Sequence, residues 1–363
     1  ADVTGVQTCL FRSAALDIPT FAARTHARNS AATREAIDAY VAGVNAAIDS
    51  HSGAPAPEFL LLGIRPGHWT ASDVNALGGL IALGFADWRD ELMRARLLAK
   101  LGCDRLRDLY SSPQDFGPVT YPDQTSAPSL ADSCGLIRFG AGAKAAETGL
   151  PHGRATPASN SWALSGGRTA SGKPILANDP HGGLGAPADY YPVRLNWPGT
   201  EIIGATRAGS PVIASGRNGH IAWGVTDIMA DQADLFVERI DPTDPSRYLT
   251  PTGSEPFHTR RVSIPLKGGK TETLTLRFTR HGVVISDFDP DAAEVLRTAV
   301  APGHVLSLAG LDYPDGNPLI QAFLGMVEAS DWTGFHAASR EFLLQHNFAF
   351  AARSGEIGMV SVG

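Results

Sequence analysis

Ser159, in the run Ser159-Asn160-Ser161-Trp162, is the residue of this chain best placed for nucleophilic chemistry. It comes directly after a stretch rich in Pro, Gly, Ser and Ala and just ahead of the first strand-like run, so a break in the bond before it would make it a chain terminus. A serine in that position needs no histidine. Its own α-amino group has a reference pKa of about 8 and can accept the hydroxyl proton at neutral pH, so one residue supplies both nucleophile and base. "LANDPH", ending at His181, follows downstream. The familiar alternatives are missing from the sequence: there is no GxSxG elbow, no HExxH, no phosphate-binding loop and no SxxK with SDN and KTG. A conventional triad would have to use His181 or His220 as base and Asp179 or Asp227 as orienter, and the missing elbow speaks against it.

The elements that must position this serine follow a simple order. Ile37, Tyr40, Val41, Val44 and Ile48 recur at helical spacing after Ser30, a capping residue, which predicts a helix with one apolar face. A second helix starts near Thr70-Ala-Ser-Asp73, a capping-box pattern, and runs with a break to Gly102. Residues 111–157 lose all amphipathic period and read as a spacer. Short β-branched runs then follow: "KPILAN", "IIGATR", "PVIAS", "HIAWGVT", "DLFVERI", "TLTLRF" and "GVVIS". A helix near Asp331 to Leu344 and a last strand pair in "NFAFAARSGEIGMVSV" close the chain. Helices, spacer and sheet in that order suggest strands packed between helices. The chain divides into a helical region, 1–110, a linker, 111–158, and a mainly stranded region, 159–363.

Composition narrows the function. A net charge of -7 and the lack of any Lys/Arg run argue against a nucleic-acid partner and favour a small-molecule substrate. No window approaches the roughly 18 to 20 apolar residues of a membrane span, and the first residues do not read as a signal peptide. Cys9, Cys103 and Cys134 lack CxxC or Cys/His metal spacing, so zinc is not expected; isolated thiols are the simplest reading, and any disulfide would leave one thiol over.

Three longer segments, "SNSWALSGGRTASGKPILANDPH", "IASGRNGHIAWGVTDIMADQADLFVERI" and "QHNFAFAARSGEIG", resemble the penicillin acylase family in order and spacing. "YVAGVNAAI" and "PEFLLLGIRPGHWTASDVNAL" extend the likeness toward the start, so it covers nearly the whole chain. The resemblance implies an α+β fold, the four-layer αββα sandwich of N-terminal nucleophile hydrolases, preceded by a helical subunit region. It implies an enzyme that cuts itself at Ala158-Ser159 and then hydrolyses the amide of an N-acylated small molecule, such as a β-lactam side chain or an acyl-homoserine lactone. The two pieces would stay together as a heterodimer, periplasmic or secreted. The other reading is an incomplete member that binds an acyl ligand without turnover.

Carried over residue by residue, the nucleophile falls on Ser159 and the oxyanion donors on the Asn347 side chain and the Asp227 amide. His181 matches a position whose backbone contacts the scissile amide. Ile81, Phe85, Gly182, Ser215 and Val225 fall on substrate-contacting positions; Gly182 and Ser215 replace aromatic walls, which implies a wider acyl cavity. A structural calcium ion would be held by Glu91, Asp231, Asp234 and the carbonyl of Ala233, hard oxygens of the kind that ion prefers. No organic cofactor is implied. Arg217 departs from the usual Gly-His-Asn in "GRN".

Overall fold

The computed structural model describes residues 13–14, 16–51, 53, 56–85, 88–109, 159–182, 188–228, 233–265, 269–310 and 316–363. The described helices of the first part include α1 (Ile18–Arg28), α2 (Ala31–Ser50), α3 (Pro57–Leu62), α4 (Ala71–Phe85) and α5 (Trp88–Leu109). The next stretch is stranded: β1 (Ser159–Leu164), β2 (Ile175–Pro180), β3 (Tyr191–Trp197), β4 (Thr200–Thr206), β5 (Ile213–Arg217) and β6 (Ile221–Asp227). Then come β7 (Leu235–Asp241), β8 (Asp244–Thr250), β9 (Gly253–Pro256), β10 (His258–Pro265), β11 (Thr271–Thr279) and β12 (Gly282–Val284). The chain ends with α6 (Pro290–Ala299), β13 (His304–Leu308), α7 (Leu319–Glu328), α8 (Trp332–Ser339), β14 (His346–Ala352) and β15 (Ile357–Val362). The class is mixed α+β with antiparallel sheets. Among the described residues no helix is long and apolar enough to cross a membrane.

The described residues belong to two compact units, one drawn from Asp17–Phe85, Pro151–Ala230 and Tyr313–Gly363, the other from Ala1–Leu16, Ala86–Leu150 and Asp231–Asp312. In the first, β15-β14-β6-β5-β4-β3 form a six-stranded sheet, and β1 and β2 pair only with each other. One face of the sheet sends Ile202, Trp223, Phe348 and Phe350 into a core shared with Ile37 of α2, Val74 and Ala82 of α4, Phe323 of α7 and Phe335 of α8. Each fully buried large side chain of this set contributes about 1.5–3 kcal/mol of transfer free energy. The helices start where local chemistry dictates. Ser30 accepts the Thr33 N–H at 3.1 Å to cap α2, and the Asp73 carboxylate accepts the Thr70 N–H at 2.7 Å ahead of α4. Within this unit the layers run helices, six-stranded sheet, β1–β2 hairpin, which are three layers of the αββα order; a helical layer outside the hairpin is not among the described residues, and Trp162 and Leu164 are exposed there.

The second unit holds the seven-stranded sheet β10-β11-β12-β13-β7-β8-β9. Arg96 of α5 reaches Asp291 and Glu294 at 2.9 and 2.7 Å, tying α5 to α6. Gly102, at φ 77, kinks α5, which continues to Leu109 instead of ending at the glycine as expected. Cys103 corrects the expectation of isolated thiols, since it is disulfide-bonded; Cys9 and Cys134 lie outside the described residues.

Candidate active site

Ser159 is the first residue of β1 rather than a residue ahead of the first strand. Along β1, Ser159, Ser161 and Ala163 are half-buried and alternate with exposed Asn160, Trp162 and Leu164. The direction of the inner row follows from Gly224 of β6, where an added Cβ would lie 2.8 Å from Ser161 Oγ. Ser161 therefore looks onto the six-stranded sheet, and Ser159, two residues away on a pleated strand, shares that side. Ala158 and the spacer before it lie outside the described residues.

The sheet face beneath the hairpin carries the candidate oxyanion group. Phe348 and Phe350 of β14 point into the helical core, so Asn347 points the other way, as does Thr226, which follows the core residue Val225 on β6. Asn347 is registered against Thr226 on one side and Ser361 of β15 on the other. Its Nδ2 donates to Thr226 Oγ1 at 3.3 Å and its Oδ1 accepts from Ser361 Oγ at 2.6 Å. A carboxamide has two N–H donors, so these bonds leave the second uncommitted among the described residues. Asp227, whose amide is the other proposed donor, ends β6 and pairs with His346.

His346 is 8% exposed and sits against Phe342 and Phe348. Burial, with the Arg207 charge adding to it and a hydrogen bond to the Leu344 backbone opposing it, pushes its imidazole down to about 4. The folded pKa lies below the ordinary 6.5, so between those values the unfolded chain binds the extra proton. Stability is full above about pH 6.5 and declines as pH falls toward 4, by on the order of 3 kcal/mol. Melting temperatures followed over that window should fall more steeply for the unaltered protein than for His346→Gln; equal slopes would remove His346 as the cause.

His181 lies just past β2 with its Nε2 2.8 Å from Asp179 Oδ2, both largely exposed, an arrangement worth little in stability. Gly182 faces Asp189, whose Oδ2 would be 3.1 Å from a Cβ placed there. Val225 puts its side chain into the helical core, and Ile81 of α4 packs against the same cluster. Phe85 ends α4, and its side chain is outside the described set. Ser215 turns its hydroxyl to Asn178 at 2.5 Å, a partner that the sequence reading passed over although it stands in "LANDPH". Thr226, Ser361 and Gly224 were passed over too; only the alternation of β6, β14 and β15 could have found them. A cavity of about 380 Å³, lined in part by Lys173, Arg217, His220 and Arg353, opens at the opposite end of these strands from Ser159. Arg217 itself donates to Glu201 at 3.1 Å.

The calcium set falls in the other unit. Glu91 of α5 holds Arg94 at 2.5 Å, Asp234 is exposed and its carbonyl accepts the Ala309 N–H at 2.9 Å, Ala233 is buried, and Asp231 lies outside the described residues. Among the described residues no three His, Cys, Asp or Glu side chains gather as metal ligands do. With Glu91 engaged by a cation already, this part of the set does not by itself form a cage for the ion.

The chain belongs to the penicillin amidase family, whose pattern it matches over residues 11–363. It is 28% identical to acyl-homoserine lactone acylase QuiP of Pseudomonas aeruginosa over 69% of this chain and 30% of that protein. To penicillin acylase 2 proenzyme of Pseudomonas sp. it is 30% identical over 90% of this chain and 41% of the relative. To penicillin G acylase of Escherichia coli it is 28% identical over 56% and 23%. The chain thus spans well under half the length of these relatives. Among solved structures, the thermostable penicillin G acylase from Alcaligenes faecalis matches 56% of this chain and 35% of its own at 26% identity and a TM-score of 0.48.

Proposed function

We propose that this chain carries the nucleophile of a self-cleaving acylase that hydrolyses the amide of an N-acylated small molecule, such as a β-lactam side chain or an acyl-homoserine lactone. The observation that supports it most is the inward row of β1: Ser159 opens a strand laid on β6 and β14, which carry Asp227 and Asn347. Its relatives are named acylases, one of them a proenzyme. In the reaction the Ser159 hydroxyl oxygen adds to the substrate carbonyl while its proton passes to the freed α-amino group. The oxyanion takes hydrogen bonds from Asn347 Nδ2 and the Asp227 N–H. The C–N bond breaks, the ammonium returns the proton to the departing amine, and water hydrolyses the acyl ester by the same relay to release the acid.

After the cut, the helices before it and the strands after it stay associated as a heterodimer, because Ile37, Val74 and Ala82 share one core with the sheet. Periplasmic or secreted placement belongs to the same reading. Ile81, Phe85, Gly182 and Ser215 bound the acyl group, with His181 orienting the scissile amide through its backbone; the Val225 side chain, buried in the helical core, is corrected from a pocket position to a support behind it. A series of N-acyl-p-nitroanilides of increasing chain length tests both points. Turnover of at least one member is expected, and Gly182→Phe shifts the optimum to shorter chains, each excluded methylene being worth roughly 1–3 kcal/mol. No turnover of any amide sinks the acylase reading; an unmoved profile displaces Gly182 from the pocket.

We propose calcium as a structural ion, with Glu91, Asp231, Asp234 and the Ala233 carbonyl as its oxygen donors once Glu91 shares or leaves Arg94. Calcium at about a hundred times its dissociation constant should stabilise chelator-treated protein by about 2.7 kcal/mol, read as a rise in melting temperature. The same rise in Glu91→Gln would place the ion elsewhere.

A further inference from the structure

We propose that Asn178 is the positioning residue that fixes the nucleophile strand β1 in register on β6. The role it serves rests on the acylase reading, while the contact does not. Asn178 stands on β2 opposite Ser161. Its Nδ2 donates to the carbonyl of Asn160, the residue after the nucleophile, at 3.0 Å, and to the carbonyl of Val225 at 2.9 Å. Its Oδ1 accepts the Val225 N–H at 3.2 Å and the Ser215 hydroxyl at 2.5 Å. Both N–H donors and both oxygen lone pairs are in use, and the reverse orientation of the amide would set its nitrogen against donors and its oxygen against two carbonyls.

The opening that Asn178 fills comes from the sheet. Pairing of β5 with β6 reaches only Gly216 opposite Trp223, so beyond that point Val225 has no strand partner on the β5 side. The carboxamide takes both of its backbone groups, as a peptide of a neighbouring strand would, while its own backbone belongs to the hairpin that carries Ser159. Gly224 allows the approach: a Cβ there would lie 2.7 Å from Asn178 Cβ and 2.8 Å from Ser161 Oγ. One side chain thus ties the peptide next to Ser159 to the peptide two residues ahead of Asp227. With its donors and lone pairs committed to Asn160, Val225 and Ser215, it is a holder of geometry and not a binding group, and small losses of alignment are costly in rate.

The test uses the intact protein, unaltered and as Asn178→Asp, which keeps the size and loses both donors, and as Ser215→Ala, which loses one of the four bonds. With an N-acyl-p-nitroanilide substrate, Asn178→Asp is expected to lower kcat about 100-fold with KM within about threefold, and Ser215→Ala to lower kcat about three- to tenfold. Amide hydrogen exchange read by mass spectrometry should be at least about tenfold faster in peptides covering Asn160 and Val225 of Asn178→Asp. Failure of the acylase reading appears in the unaltered protein as absent turnover and removes the positioning role with it. Failure of this inference appears only in the variants: unchanged kcat, a rise in KM equal to the fall in kcat/KM, or unchanged exchange in folded Asn178→Asp each overturn it. If Asn178→Asp does not fold, Ser215→Ala decides, and unchanged kcat there overturns it.

Discussion

Ser159→Ala is expected to leave a single uncut polypeptide where the unaltered protein yields two fragments, one beginning Ser-Asn-Ser-Trp. Mass spectrometry of the intact protein reads the difference directly. Before the cut the Ser159 nitrogen is an amide without useful basicity, so the hydroxyl must first attack the Ala158 carbonyl; the C–N bond breaks to free the Ser159 amine, and water opens the resulting ester to the Ala158 carboxylate and the Ser159 hydroxyl. Under the proposed mechanism the precursor is its own first substrate. Amide turnover should fall by about 10⁴-fold or more in Ser159→Ala, because no other group replaces the nucleophile. The side chain is only half-buried at a strand end, so folding should be little affected. Retaining one residue before Ser159 gives a sharper variant still: the N-terminal mechanism loses activity, whereas a histidine-based triad keeps it. An active enzyme whose Ala158-Ser159 bond is intact overturns the mechanism.

Asn347→Ala should lower kcat by about 10²- to 10³-fold with little change in KM, since the donor it removes acts on charge that develops only in the transition state. Asn347→Asp should be as damaging, for it keeps the size and removes the N–H. Ser361→Ala is the graded control: it releases the 2.6 Å bond that orients the carboxamide and should cost less. A kcat unchanged in Asn347→Ala takes the residue out of the reaction.

The helices were legible where periodicity and caps agree, as at Ser30 with Ile37, Tyr40 and Val44, since one apolar face against a sheet is what that spacing encodes. The helix expected from Asp331 to Leu344 stops at Ser339; Phe342 and Leu344 are buried without being helical, so their apolar character reported core and not period. β1 was missed as a strand because its inner row is Ser159, Ser161 and Ala163, small residues lying over Gly224, while Trp162 and Leu164 face outward, the reverse of the usual signal. α7 was missed too: Ile320, Phe323 and Met326 are buried among apolar neighbours that blur the helical period. In the site, residue types announced Ser159, whereas the Asn178 network depends on how far β5 runs beside β6, which no local pattern contains. Ser215, read as a pocket wall, has its hydroxyl on Asn178 for the same reason.

β6 and β14 are neighbours in the sheet, yet the bond between Asn347 and Thr226 joins residues 121 positions apart, with β7 through α8 between them. During synthesis at about 5–20 residues per second, Ser159 leaves the ribosome on the order of ten seconds or more before Asn347 does. Under the proposed mechanism, self-cleavage helped by the Asn347 amide is therefore postponed until β14 has been made and has found β6. On the proposed mechanism the order of strands in the chain acts as a delay, keeping the backbone whole until the helices before the cut and the six-stranded sheet after it have both been made.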